Sequence, residues 1–165
     1  MTRAYVSVGS NVAPRANVAR GIAGLERLFA PLVVSPIYEA RAVGFAGNDF
    51  LNLVVAFDTD MGAEALHEAL RAIEDAAGRR RGGPKFADRT LDLDLLLYGD
   101  EVRDDDDLEL PRPEILRYAF VLRPLADIAP DTKHPVAGQS FRHLWAAFDD
   151  PAQVLRPVVP DGETP

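Results

Sequence analysis

The chain has no cysteine among its 165 residues, which excludes disulfides, a thiolate nucleophile and any Cys-ligated zinc. Positive charge is scarce: 18 Lys and Arg against 26 Asp and Glu leave a net charge of −8. That balance argues against nonspecific binding of nucleic acid or of an anionic membrane. Long apolar runs are missing as well, and none approaches the ~20 residues of a membrane span. The first residues, "MTRAYVSVGSN", enter strand-like alternation at once, with no signal-peptide core. A cytoplasmic protein is the expectation. Only three histidines are present. His67 falls on the outer face of a predicted helix, and His134 and His143 lie near the C-terminus; each reads as structural or exposed, and none is placed as a catalytic base. What remains is an ordinary globular composition, 47% hydrophobic and 27% charged, at a length that suits one domain.

Periodicity outlines the elements. "AYVSV" at Ala4–Val8 alternates as a strand and runs into a turn at Gly9-Ser10-Asn11. Val18, Ile22, Leu25 and Phe29 recur at helical spacing, and Pro14 suits the first turn of that helix. "LVVSPIYEA" reads as a strand that Pro36 confines to an edge or a bulge. "FLNLVVAFD" is a second strong strand, and Leu66, Leu70, Ile73 and Ala77 mark one face of a helix over Ala63–Ala77. A loop, Gly78–Phe86, precedes a strand at Thr90–Tyr98, and an acidic turn covers Asp100–Asp107. Proline then punctuates short helices near 114–116, 120–128 and 140–148. The order β-α-β-β-α-β predicts an α+β fold, a ferredoxin-like sandwich with a helical C-terminal extension. Residues 1–150 are expected as a single domain, and 151–165 as a loosely packed tail.

The chemistry concentrates in "RTLDLDLLLYGD". Alternation along a strand sends Asp92 and Asp94 to one face and Leu91, Leu93, Leu95 and Leu97 to the other. Two carboxylates roughly 6–7 Å apart at Cα repel each other unless a cation offsets them. Mg²⁺ suits them, bound by one or two carboxylates plus substrate phosphates, and a pair of ions could clamp a phosphoryl group. The alternative is a solvent-facing stripe on a half-buried sheet. Just upstream, Arg79, Arg80, Arg81, Lys85 and Arg89 cluster on a Gly-Gly-Pro hinge. Arg forks grip phosphate oxygens, so metal carboxylates beside a cationic loop point to phosphoryl transfer. A solvated charge run or an RNA patch is the competing reading of that loop.

With "VSVGSN", "SPIYEA", "FLNLVVAF", "RTLDLDLLLYG" and "AFVLRPLADIAPD" in this order, the chain resembles 6-hydroxymethyl-7,8-dihydropterin pyrophosphokinase of folate synthesis, from about Ala4 to Asp131. The resemblance implies a pyrophosphokinase-like domain that moves the β,γ-diphosphate of ATP to the pterin hydroxymethyl group and releases AMP. Two Mg²⁺ ions would act with ATP, held by Asp92 and Asp94. Phe50 and Phe120 match the aromatics that sandwich the pterin ring, although alone they would read as core. Asn52 matches the amide that reads the pterin edge, and an amide on the same strand face as Phe50 suits a flat, polar-edged heterocycle. The backbone of Ala40, Ala42 and Val43 matches the segment along the pterin amide edge. Arg79, Arg81, Phe86 and Arg89 match a mobile catalytic loop; Arg81, Lys85, Phe86 and Arg89 are expected at ATP. Glu74 matches a polar position near the nucleotide, with an exposed helix charge as the alternative. The partners implied are ATP and a pterin, with no nucleic acid or membrane, and a monomer is expected.

The chain also departs from the family pattern. Phe86-Ala87-Asp88-Arg89 replaces an aromatic followed by Gly-Pro-Arg, and Asp88 adds negative charge. Arg112 stands where histidine is usual, and Tyr118 where arginine is usual, with Arg117 one residue earlier. Asp107 and Glu109 hold positions that are often basic or hydroxyl-bearing. Arg112 and Arg117 are expected as ATP contacts that restore the lost positive charge. These changes leave three rivals open: a paralogue with another pterin alcohol or phosphate donor, a silent pterin-binding module, and a Mg²⁺-dependent phosphohydrolase.

Overall fold

A computed structural model describes residues 1–78, 90–105 and 107–158. Strand β1 (Thr2–Ser10) leads into helix α1 (Pro14–Phe29), whose first position is Pro14; its missing N–H is no loss there. The stretch expected as one proline-marked strand splits into β2 (Val33–Val34) and β3 (Tyr38–Ala40). Proline has no N–H for the ladder, and Ser35 bridges the gap. Its N–H donates to the Val54 carbonyl and its Oγ accepts from the Val54 N–H, both at 2.9 Å. Then come β4 (Phe50–Thr59), α2 (Ala63–Ala76) and β5 (Asp92–Tyr98). The acidic turn holds a small hairpin of β6 (Arg103–Asp104) and β7 (Glu109–Leu110), which low aspartate β propensity hid. Helices α3 (Glu114–Arg117), α4 (Ala119–Ile128) and α5 (Phe141–Ala147) follow, and β8 (Arg156–Pro157) ends the described chain. No helix among the described residues is long and apolar enough to cross a membrane.

The main sheet runs β5-β1-β4-β3-β8, with β2 also beside β4, and all its pairs are antiparallel. Its two faces bury different cores. Val6, Val8, Leu53, Val55, Phe57, Leu93 and Leu95 face α1 and α2, where they meet Leu25, Leu66 and Leu70. Phe57 stacks on Phe29 with ring centroids 4.3 Å apart. Helix α1 comes close enough that a Cβ on Gly21 would lie 2.9 Å from Leu91 Cδ1, so only glycine fits without a shift. On the opposite face Tyr5, Val54, Ala56, Leu96 and Leu97 pack under α3, α4 and α5. Tyr38 donates from its hydroxyl to Asp127, joining β3 to α4.

Leu97 corrects the simple alternation. It was expected beside Leu93 and Leu95 but lies in the other core. Tyr5 pairs with Leu97 and Val6 with Leu95, so Leu96 is an extra residue, a β-bulge. A bulge inserts one residue and shifts the phase of the strand beyond it. The tail expected to pack loosely from Pro151 is held instead, as far as it is described. Arg156 and Pro157 pair with Glu39 and Tyr38, and the Val158 N–H donates to Ile37 O at 2.9 Å.

Candidate active site

Two cavities meet at Asp92 and Asp94: the first opens on the face of the sheet that α3 and α4 cover, and the second lies at the β5 edge, between α2 and the acidic hairpin. The first, about 290 Å³, lies between Phe50, Asn52 and Gly9 on the strands and Tyr118, Phe120 and Val121 on the helices. The second, about 420 Å³, is bordered by Glu74, His67 and Arg71 of α2 and by Asp105, Asp107 and Glu109 of the acidic hairpin. Asp92, Asp94, Arg112 and Glu114 line both. The register explains the gathering. Gly9 pairs with Asn52 on one side and Asp92 on the other, and Ser7 pairs with Asp94. Residues paired across a ladder share a face. A Cβ on Gly9 would stand 3.3 Å from Asn52 Oδ1, so the floor of the first cavity depends on its missing side chain.

The same bulge that moves Leu97 also builds the cationic side of the site. The Arg112 N–H donates to the Leu96 carbonyl at 3.0 Å. This tethers Arg112 so that its Nη2 reaches Asp94 Oδ1 at 3.4 Å and its Nε approaches Glu114 Oε2 at 2.7 Å. The latter contact is an ion pair whose N–H does not aim along the line of a hydrogen bond. Burial works against the Arg112 charge, yet Asp94, Glu114 and Asp92 outweigh it and raise its pKa. Asp94 is pushed up to about 7, by burial first and by neighbouring Asp92 next; Arg112 only partly offsets this. The site is therefore short of positive charge at its centre.

The structure brings most of the expected residues together. Ala40, Val43, Phe50, Asn52 and Phe120 line the first cavity, together with Asp92 and Asp94. Ala42 does not line it, whereas its neighbour Arg41 does. Asn52 is buried. Its amide makes one long contact among the described residues, Nδ2–H to Phe50 O at 3.5 Å, and faces the cavity. Glu74 is not an exposed helix charge: it is 4% exposed, and its Oε2 accepts from the Leu93 N–H at 2.7 Å. Leu93 lies on the edge strand between the two aspartates. Arg117 is exposed and lines neither cavity. Arg79, Arg81, Lys85, Phe86 and Arg89 lie outside the described residues.

Several lining residues escaped the sequence reading: Ser7, Gly9, Phe45, Leu96, Glu114 and Tyr118. Ser7 and Gly9 were recoverable in principle, since alternation places them on one face of β1. Phe45 meets Phe50 edge-on, with centroids 6.5 Å apart, and Tyr118 stacks on Phe120 at 5.1 Å. Those two pairings depend on loop and helix placement, which carries no local signal. The opening motif proves to be scaffolding. Ser10 Oγ donates to Thr90 O at 2.6 Å, just ahead of the aspartate strand, and Asn11 Nδ2 donates to Asn48 O at 3.2 Å, just ahead of Phe50.

Residues 5–130 match the model of the family described as 7,8-dihydro-6-hydroxymethylpterin-pyrophosphokinase. The chain belongs to this family. Among its pyrophosphokinase relatives is the 2-amino-4-hydroxy-6-hydroxymethyldihydropteridine pyrophosphokinase of Pseudomonas aeruginosa, 42% identical over 149 residues, which cover 88% of this chain and 91% of that protein. The enzyme of the same name from Methylorubrum extorquens is 37% identical over 158 residues, covering 90% and 95%. In three dimensions the chain resembles the Plasmodium falciparum HPPK-DHPS protein, with a TM-score of 0.68 at 14% identity. That match covers 88% of this chain but 43% of the longer one, and at such identity it speaks for the mixed α/β fold alone. The pyrophosphokinase match takes in both cavities and every described residue that lines them.

Proposed function

We infer that this protein transfers the terminal diphosphate of ATP to the hydroxymethyl group of 6-hydroxymethyl-7,8-dihydropterin, releasing AMP, in folate biosynthesis. One observation carries the reading beyond family membership. An aromatic cavity with one buried amide and a separate polar cavity meet along Asp92, Asp94, Arg112 and Glu114. A flat heterocycle suits the first, a nucleotide suits the second, and the groups that react would meet where they join. The sheet order β5-β1-β4-β3, with α1 and α2 on one face, supports a ferredoxin-like description of the domain.

Phe50 and Phe120 take the pterin ring between their faces. Asn52 presents an amide, which can both donate and accept, to its polar edge, and the backbone near Ala40 and Val43 borders the same edge. Glu74 and Arg112 serve the nucleotide side, together with Arg81, Lys85, Phe86 and Arg89 from the basic loop. Arg79, Arg81 and Arg89 neutralise phosphate charge and help to exclude water as a competing acceptor. The pterin hydroxyl oxygen forms a bond to the β-phosphorus of ATP, its proton is released to solvent, the bond from that phosphorus to the α–β bridging oxygen breaks, and AMP leaves with that oxygen. Positioning and charge neutralisation supply most of the rate.

The donor set fits Mg²⁺. Asp92 and Asp94 offer oxygen ligands only, from one face of one strand. Among the described residues no group of three or more His, Cys, Asp and Glu could hold a metal by itself, which suits an ion that keeps water and takes phosphate oxygens as ligands. Asp92 and Asp94 would hold two such ions with ATP, which when bound offset phosphate charge and acidify the attacking hydroxyl. Burial and the neighbouring Asp92 charge raise the pKa of Asp94, and a bound cation would offset both.

The test is an AMP assay with ATP, Mg²⁺ and the hydroxymethyl dihydropterin. AMP should form only when all three are present. Phosphate released without any pterin would replace this reading with a phosphohydrolase, and pterin binding without AMP would make the protein a silent binding module.

A further inference from the structure

The C-terminal segment beyond the family match grips both walls of the first cavity. Tyr118 ends α3 and starts α4 in an extended conformation, φ −123° and ψ 126°. Such a break exposes a helix-end carbonyl before it and a helix-start N–H after it, and both need partners. Gln153 supplies both. Its Oε1 accepts from the Ala119 N–H at 2.8 Å, and its Nε2 donates to the Arg117 carbonyl at 2.9 Å. Asp150 Oδ2 accepts from the same Nε2 at 3.0 Å, which fixes the orientation of the amide. The two peptide groups that flank Tyr118 are thus tied to one side chain, and Tyr118 stacks on Phe120 in the cavity wall.

Three residues on, Arg156 reaches the opposite wall. Its Nη2 lies 2.5 Å from Glu39 Oε1 and 2.7 Å from Asp49 Oδ2. Glu39 precedes Ala40, and Asp49 precedes Phe50; both of these line the cavity. Residues 156 and 157 also pair with β3 through the backbone, so a short stretch of chain links the two walls. Arg156 is exposed, where ion pairs contribute little; the amide of Gln153 is the stronger hold.

We propose that Gln153 is a positioning residue for the pterin site, holding the Tyr118–Phe120 wall at its working distance from the Ala40–Phe50 wall. This rests on reading the first cavity as the pterin site. The role concerns ring binding, and it predicts a split between the two substrates that general destabilisation would not produce.

Titration calorimetry of the full-length protein with 6-hydroxymethylpterin, and separately with a nonhydrolysable ATP analogue and Mg²⁺, reads that split. For Gln153→Ala the pterin dissociation constant should rise about tenfold, the effect of one or two hydrogen bonds, while nucleotide affinity stays within a factor of about two. Gln153→Glu sets a carboxylate oxygen against Asp150 and the Arg117 carbonyl in place of the donor, so it should weaken pterin binding at least as much as Gln153→Ala. Amide exchange in the ligand-free protein gives an independent arm: the peptide spanning 117–123 should exchange faster in Gln153→Ala, and the β1 and β4 peptides should not change. Unchanged pterin affinity in a folded variant, or equal loss of both ligands, overturns the proposal, as does unchanged exchange at 117–123. Wild-type protein that takes up no pterin would sink the substrate reading instead, and the exchange arm would still decide whether Gln153 holds this wall.

Discussion

Charge and burial collide at Asp94. Its carboxyl is pushed up to about 7 by burial and by Asp92, with Arg112 as a partial counter-ion. The folded protein therefore binds a proton that the unfolded chain has released by about pH 4, so stability from this group is present below that pH and is lost as pH rises through 7. In EDTA, the thermal midpoint should fall between pH 5 and pH 8, and Asp94→Asn should remove most of that slope; calorimetry of both proteins across the range checks it. The same substitution should cut AMP formation by roughly a hundredfold or more, because the lost charge is one that the transition state uses, with circular dichroism unchanged. Near-normal turnover would end the metal-ligand role. Gly9 argues from the opposite property, the absence of atoms. Val at this position would put a Cβ 3.3 Å from Asn52 Oδ1 and fill the cavity floor with its methyl groups. Pterin affinity should drop at least about tenfold while nucleotide affinity holds; fluorescence titrations of the two ligands decide this, and an equal loss of both would contradict it.

At the scale of elements, the long strands were legible because alternation is a local signal, and the D-x-D pair pointed, for the same reason, to the residues where the two cavities meet. The bulge at Leu96 was not legible. It depends on which residue of β1 meets which residue of β5, a pairing between segments about ninety positions apart. Yet it decides both the burial of Leu97 and the tether on Arg112. The short hairpin of β6 and β7 hid behind aspartates, and β8 behind the poor helix formers of the tail. His134 shows an element held by one side chain. Its Nδ1 accepts from the Val136 and Ala137 N–H groups at 3.2 and 3.0 Å, which requires an unprotonated Nδ1. Burial lowers its pKa. Stability from this turn is complete above the ordinary histidine range and is lost as pH falls through it. Amide exchange at 136–137, corrected for intrinsic rates, should speed up below about pH 6. Asn in place of His134 should remove that dependence, and a pH-independent wild-type turn would refute the assignment.

Across the whole molecule, the sheet separates two cores that answer to different demands. The core under α1 and α2 reaches the first cavity only at Val8 among the described residues, whereas the core under α3 to α5 shares Leu96 and Val121 with it. Hydrophobic periodicity marked core-facing residues on the strands and helices but not that the sheet buries two cores or which one borders the site, because that depends on the crossing of chain from β5 to α4. The division yields an expectation about how stability and binding separate. Phe57 is fully buried against Phe29 on the remote face; Phe57→Ala should cost about 3–5 kcal/mol of stability from lost burial and the cavity left behind. Below the new melting point its pterin KM should stay at the wild-type value, since no contact to the first cavity is removed. Val121 lies in the near core and in the cavity wall. Val121→Ala should cost less, about 2 kcal/mol, yet raise the pterin KM, because the volume lost opens directly beside the ring site. Urea denaturation and steady-state kinetics on the two variants compare the orders. If the remote substitution disturbs the pterin KM more than the near one, the sheet transmits packing changes between its faces and does not insulate the site.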